Sequence, residues 1–392
     1  CSETPAAAAP APKAEAPARP APRPAAPKPA PQPAVNEIKP EIVAPEQLHD
    51  RLAELKAQGY GLLENLTGTD WGEEGLGAVY TLTNPETFEM VHVKAVSPNR
   101  EQPVLPSACD LWDIANFYER EVYDFYGVIF VNHPDLRRIF LREDWVGFPF
   151  RKDDKPEEKN EEVAVGDEPI SDLAPCYTLN ADGTLHCERT PLFADDDYVI
   201  NLGPQHPSTH GVLHFRTRID GEIITKIDPH LGYIHRAIEK ISESLTYPQT
   251  LALTDRMDYL GAMQNRHALC ACIEQAMGVE VSDRVQVIRT IMDELQRIDN
   301  HLLFLGTCAQ DLSALTAFLY CMRDREQVLN VMEETTGGRL IQNYYRIGGL
   351  QDDIDPNFVQ NVKALCKYLR PKVQEYLDVF GDNVITQQRL IG

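Results

Sequence analysis

The sequence predicts an α+β protein: a small α/β unit near the N-terminus, followed by a mostly helical unit that carries a β-hairpin lip. Three observations lead there. At 392 residues the chain exceeds the usual size of one compact domain. β-rich apolar runs bounded by turn residues fill its first half, whereas apolar spacing of three and four residues dominates after about Ile234. Between them, Lys152 to Glu168 is a charged stretch that reads as a solvated linker. The expected division is a tail over 1–36, an α/β domain over 37–151, a linker with a β-hairpin over 152–195, and the helical domain over 196–392.

The tail is rich in Ala and Pro, a composition that buries too little apolar surface to offset chain entropy. From Pro45, Glu46 to Leu55 repeats apolar residues at helical spacing, and Gly59 supplies a stop. Leu76–Leu82 and Glu89–Val96 flank Asn84-Pro85-Glu86 and predict an antiparallel hairpin. Leu111–Tyr123 reads as a helix. The Asp182-Gly183 turn between Tyr177–Leu179 and Thr184–His186 predicts a second hairpin, expected to open the second unit. Tyr198–Leu202 and Gly211–Ile219 read as strands around a loop rich in Gly, Pro and His. The clearest helix places Val285, Ile288, Met292, Leu295, Leu302 and Leu305 on one face, with Ser282 or Asp283 as its cap. Ala314–Glu334 predicts another, closed by Gly337-Gly338.

With 43% hydrophobic and 25% charged residues the composition is globular, and no apolar run approaches the roughly 20 residues of a membrane-spanning helix. Thirty-seven basic against 60 acidic residues, a net charge of -23, argue against nucleic acid and against direct docking on anionic lipid. None of the nine cysteines forms a C-x-x-C pair, and the odd count points to reduced thiols in a cytoplasmic setting. Cys270 and Cys272, two apart in a helical pattern, point in different directions and read as packing residues, not a metal clip. Cys1 in first place, without an initiator Met, reads as a fragmentary N-terminus.

Two segments carry chemistry-bearing side chains. Asn201 to Gly211 joins two strands through residues that disfavour regular structure and displays His206 and His210; a display of functional groups and a polar turn with incidental imidazoles explain it equally well. His230 and His235 follow without a matching set of Cys or carboxylates, so no metal site is expected. Asp255-Arg256-Met257-Asp258-Tyr259 sets two acids, an arginine and a tyrosine in an otherwise apolar helical stretch running to Met277. Such groups are costly to bury alone, and pairing among themselves or with Arg236 is the slightly favoured reading.

These strings also resemble a known family. Gly203-Pro204-Gln205-His206-Pro207-Ser208-Thr209-His210-Gly211, Pro229-His230-Leu231-Gly232, His235-Arg236 and Asp255-Arg256-Met257-Asp258-Tyr259 resemble the D subunit of respiratory complex I. Upstream, Glu119-Arg120-Glu121-Val122-Tyr123-Asp124-Phe125-Tyr126-Gly127 and His133-Pro134-Asp135-Leu136-Arg137-Arg138-Ile139 resemble its C subunit. Both on one chain, in this order, match the fused form found in some bacteria. The resemblance spans about Pro45 to the end and stops before the length of family D subunits.

The resemblance implies a peripheral-arm subunit on the cytoplasmic face of the bacterial inner membrane, holding much of a quinone-reduction site coupled to proton translocation. It assigns His210 and Tyr259 to the quinone headgroup, Asp311 as the histidine's partner, and Thr307 to the pocket lining. Arg236 and Arg256 match arginines lying towards the terminal iron-sulfur cluster. That cluster is expected on a neighbouring B-type subunit and none on this chain, with a membrane-arm H-type subunit as a further partner and menaquinone or ubiquinone as substrate. Ile341 stands where many members carry a histidine, so the cluster potential is expected to depend less on pH. Two alternatives compete. A [NiFe]-hydrogenase large subunit, which the D subunit resembles in fold, needs C-x-x-C pairs where Asp258 and Gly261 stand. A structural adaptor would use its histidines only to shape a loop.

Overall fold

Strands β1 (Glu41–Val43), β2 (Leu62–Asp70), β3 (Leu76–Thr83) and β4 (Met90–Ser97) form a sheet in the order β1-β4-β3-β2. All pairs in it are antiparallel except β1 with β4. The computed structural model describes residues 39–154, 160 and 170–391, with the backbone alone at Ser208. The expected tail, Cys1 included, and most of the charged linker lie outside the described residues. Helices α1 (Leu48–Ala57) and α2 (Ala115–Tyr126) pack on this sheet. Leu48, Leu52 and Leu55 of α1 meet Leu63, Leu66, Leu76, Tyr80 and Leu82 in a core where each buried leucine is worth about 1.5–3 kcal/mol. Two short parallel strands, β5 (Val104–Pro106) and β6 (Ile129–Val131), flank α2.

The β3–β4 hairpin and α1 match the sequence reading. The helix read from Leu111 instead starts at Ala115, because Leu111 and Trp112 both donate backbone N–H to Ala108 in a turn. It ends on Gly127, whose φ of 71° a residue with a side chain adopts at a cost. Strand β2 escaped the sequence reading: a register shift between Leu63 and Asn65 breaks its two-residue alternation.

The second hairpin, β7 (Leu173–Leu179) and β8 (Leu185–Pro191), turns at Asn180–Thr184 with Gly183 at φ 81°. It does not simply open the second unit. Tyr177 and Pro175 accept backbone hydrogen bonds from Asn132 (2.7 Å) and Leu136 (2.9 Å), and the Tyr177 ring packs on the first core.

The lip is a three-stranded antiparallel sheet of β9 (Val199–Leu202), β10 (His214–Asp220) and β11 (Ile223–His230), in the order β11-β10-β9. Helices follow: α3 (Ile238–Ser242), α4 (Tyr247–Thr254), α5 (Ala262–Met277), α6 (Asp283–Asp311) and α7 (Leu315–Thr336). A small hairpin of β12 (Tyr345–Arg346) and β13 (Gly349–Leu350) precedes α8 (Phe358–Tyr376) and α9 (Val384–Leu390). Ile288, Met292, Leu295 and Leu302 of α6 are buried with Cys321, Val328 and Met332 of α7, as their spacing predicts. Ser282 does occupy the N-cap position of α6, and Gly337, at φ 75°, closes α7.

The helical stretch predicted through Asp255–Tyr259 is broken. Helix α4 stops at Thr254 and α5 starts at Ala262. In the turn between them Asp258 accepts the backbone N–H of Leu260 through Oδ1 and that of Gly261 through its carbonyl, both at 3.0 Å.

Candidate functional site

The loop between β9 and β10 lines an open recess of about 1000 Å³, together with Gly232 and Tyr233 from the segment after β11. His210 lies in this loop with φ 51°, a left-handed backbone that costs an L-residue about 1–2 kcal/mol. Its Nε2 lies 2.7 Å from Asp311 Oδ1, the last residue of α6. The two side chains are partly exposed, at 29% and 50%. With Nε2 engaged, Nδ1 is the ring nitrogen left for a ligand. Asp311 also sits at the negative end of the α6 dipole, so carboxylate and helix end both attract positive charge.

Thr307 is one turn before Asp311 on α6, with its hydroxyl donated back to the Leu303 and Phe304 carbonyls at 3.0 Å. Tyr259 is on the turn before α5, 52% exposed, and is not among the residues lining the recess. The buried helical phenol expected from the sequence is therefore an exposed phenol on a turn. Helix α6 serves both places: Gln296 donates to the Leu260 carbonyl at 2.8 Å, and Asp311 holds His210. At 1.5 Å per residue, about 22 Å of helix separates those two attachment points.

Arg236 and Arg256 are exposed. Asp255 pairs neither with Arg256 nor with Arg236; it is buried against Arg266 of α5, at 3.1 Å. Burial raises its carboxyl against the opposing pull of Arg266. Asp258 and Gly261 stand where the nickel alternative needs two thiolates, and a Cβ added at Gly261 would lie 2.9 Å from Asp258 Oδ2.

Sequence reasoning missed a buried polar hub joining the two halves. Asp228, near the end of β11, accepts from Arg137 (2.7 Å), from Arg216 (3.0 and 2.6 Å) and from His230 (2.9 Å). Burial alone would push its carboxyl up, but the hydrogen bonds from His230 and Arg137 and the Arg137 charge hold it well below the usual range. Next to this hub, His235 stacks on Phe140 and Phe125 of the first half, with ring centroids 4.8 and 5.4 Å apart.

Among the described residues, one group of metal-ligating types converges, Cys109, Glu119 and His133. Their atoms are already committed. Glu119 accepts from Ser107 and Ala108 at 2.7 Å, and His133 engages the Asn116 carbonyl through Nε2 and the Asp135 N–H through Nδ1. Burial pushes the Cys109 thiol up to about 12 and the His133 imidazole down to about 4, which favours a neutral hydrogen-bonded knot.

Comparison with known proteins adds the following. The family profile described as "Respiratory-chain NADH dehydrogenase, 30 Kd subunit" matches residues 42–160, and that of the "49 Kd subunit" matches 311–392. The chain is 59% identical over 348 residues to the C/D subunit of NADH-quinone oxidoreductase from Phocaeicola vulgatus, covering 88% of this chain and 67% of that protein. It is 54% identical over 363 residues to the C/D subunit from Bacteroides thetaiotaomicron, covering 90% and 68%. To the C/D subunit numbered 2 in Aquifex aeolicus it is 38% identical over 322 residues, covering 79% and 54%. A solved structure of the membrane-bound sulfane sulfur reductase, an archaeal respiratory membrane complex, aligns with a TM-score of 0.49 and 27% identity, over 51% of this chain and 54% of that one.

Proposed function

This chain belongs to the family of fused C/D subunits of NADH-quinone oxidoreductase, and we propose that its second half supplies much of the quinone-reduction site of that complex, with His210 as a proton-donating group oriented by Asp311. The observation that carries this reading is the 2.7 Å contact between an imidazole on a strained loop and the carboxylate at the end of α6, beside an open recess. A quinone takes two electrons and two protons to become a quinol. Asp311 fixes the ring through Nε2, so Nδ1–H of a protonated His210 faces a quinone carbonyl and stabilises charge developing on its oxygen.

Tyr259 is the second donor in this reading. Its phenol is exposed on the turn that α6 anchors through Gln296, a donor on the quinone's way to His210 in this reading. Thr307 lines the same side of α6 as Asp311, four residues away. The exposed guanidinium groups of Arg236 and Arg256 face the source of electrons, a terminal iron-sulfur cluster on a neighbouring B-type subunit. Among the described residues the cysteines are scattered and the Cys109–Glu119–His133 knot is already committed, which supports placing the cluster on the neighbouring subunit. Among the described residues no helix is long and apolar enough to cross a membrane, which suits a peripheral subunit at the cytoplasmic face, docked on a membrane-arm H-type partner and coupled to proton translocation. The likeness of the helical half to a [NiFe]-hydrogenase large subunit belongs to the same reading, without its nickel thiolates.

The test uses the assembled complex in membranes. His210→Ala and Tyr259→Phe should each lower NADH:quinone activity about 100-fold, the scale of a lost general acid, while electron transfer from NADH to a water-soluble acceptor is kept. Quinone reduction within about twofold of wild type in either variant would defeat the proposal.

A further inference from the structure

The contact between Arg137 and Asp228 crosses from the first half of the chain to the second, and the residues just beyond Asp228 form one wall of the His210 recess. We propose that Arg137 and Asp228 are a positioning pair through which the first half sets the shape of that recess and hence its grip on quinone. The inference rests on the quinone-site reading of His210.

The pair is built to hold a fixed geometry. Both side chains are buried, at 3% and 4% exposure, and lie 2.7 Å apart. Arg137 is fixed on its own side by a fork to Asp135, with both contacts 2.7 Å, and by the Ser171 carbonyl at 3.1 Å. Asp228 thus docks on a guanidinium that has little freedom left.

From Asp228 the chain runs through Pro229, His230 and Leu231 to Gly232 and Tyr233, which line the recess opposite the His210 loop. Gly232 has φ 113°, and a Cβ added there would lie 2.8 Å from the Phe140 carbonyl oxygen. The wall and the first half are therefore in backbone contact, three residues beyond Arg137 on one side and four beyond Asp228 on the other. Tyr233 reaches within 3.4 Å of His214 Nδ1, and His214 starts β10 directly after the loop bearing His210. A shift at Asp228 is passed to both walls of the recess, while the His210–Asp311 contact is held separately by α6.

This arrangement predicts an effect on quinone binding and not on chemistry. Asp228→Asn leaves neither arginine without a carboxylate, since Arg137 keeps Asp135 and Arg216 keeps its ion pair with Asp172. Arg137→Gln leaves Asp228 with Arg216 and His230. In the assembled complex, each should raise the KM for a short-chain quinone roughly fivefold or more with kcat within about twofold of wild type. The double variant should be no worse than the worse single one, because both break the same contact. If Asp228→Asn does not assemble, Arg137→Lys carries the test by the same KM, since it keeps the charge and loses the fork.

An unchanged KM in assembled variants overturns the proposal, and so does a fall in kcat at constant KM. His210→Ala separates the two readings. If that variant still reduces quinone, the site assignment itself is wrong. If it is inactive while the Arg137 and Asp228 variants match wild type, only the positioning role is lost.

Discussion

The two halves of the chain carry equally distinctive strings of charged and aromatic residues, and they use them in opposite ways. In the first half, Glu119, Arg120, Asp124, His133 and Arg137 are all buried, and their polar atoms are taken by other parts of the protein. In the second half, His210, Tyr259, Arg236, Arg256 and Asp311 are exposed, in loops and turns or at a helix end. Burial with complete pairing marks a residue that maintains shape, and exposure with spare hydrogen-bonding capacity marks one that can meet a substrate. Motif density alone does not separate these roles. Asp228 is the instructive exception: it belongs to the second half by sequence but is buried and paired like the first.

The comparison breaks most easily at Asp124. Its Oδ1 accepts from Arg138 at 2.8 Å, and Oδ2 accepts the backbone N–H groups of Ile139, Phe140 and Leu141 at 3.2, 2.8 and 2.9 Å. The side chain is fully buried. Replacing it by Ala leaves three backbone amides without their acceptor and takes the carboxylate from Arg138, whose guanidinium keeps the Asp124, Trp145 and Gly147 carbonyls, at a cost of about 3–5 kcal/mol. Denaturant unfolding of the purified chain measures this directly. A loss below about 1 kcal/mol would show that shape does not depend on the paired network of the first half.

How much of this was legible in the sequence follows from the range of each interaction. Helices α6 and α7 were plain because their apolar residues recur within one turn, and the two hairpins because their turns are local. Strand β2 was hidden by its bulge, and β11 by the Pro229 near its end. The turn at Asp255–Gly261 was hidden because the apolar pattern runs through it, and the exposure of Tyr259 went unseen with it. His210 and Asp311 are 101 residues apart, so spacing alone gave no reason to join them; only the family resemblance did. Arg137 and Asp228, 91 residues apart, had no such help, since each reads as an ordinary member of its own motif.

A smaller effect sharpens the contrast between buried acids. Asp228 has cations against it, whereas Glu119 is fully buried and accepts only from Ser107, Ala108 and Cys109. Burial pushes its carboxyl from 4.5 up to about 7, against the pull of those hydrogen bonds. The folded state therefore keeps a proton that the unfolded chain releases. Its destabilising share is absent below pH 4.5, grows as pH rises to about 7, and is constant above that. A gap of about 2.5 pH units corresponds to at most about 3 kcal/mol. Glu119→Gln should flatten the fall in melting temperature across that window and raise stability at pH 8. Glu121, pushed to about 7 by burial and then by Glu239, keeps part of the slope. An unchanged pH profile in Glu119→Gln would place the buried proton elsewhere.

The smallest effect on stability, paired with a large one on activity, is expected at Asp311. Its contact with His210 has the length of a strong hydrogen bond, yet both partners are open to water, and such exposed pairs contribute about 0–1 kcal/mol. Asp311→Asn keeps the size of the side chain and an acceptor oxygen while removing the charge. Unfolding of the chain should move by less than about 1 kcal/mol. In the assembled complex quinone reduction should fall at least about tenfold, because the imidazole loses the group that fixes its orientation. Both measurements are needed on the same variant. A stability loss on the Asp124 scale would move Asp311 into the class of shape-keeping residues, and normal quinone turnover would detach it from the chemistry of His210. Only a stable, inactive variant keeps the two halves distinct in the way their burial implies.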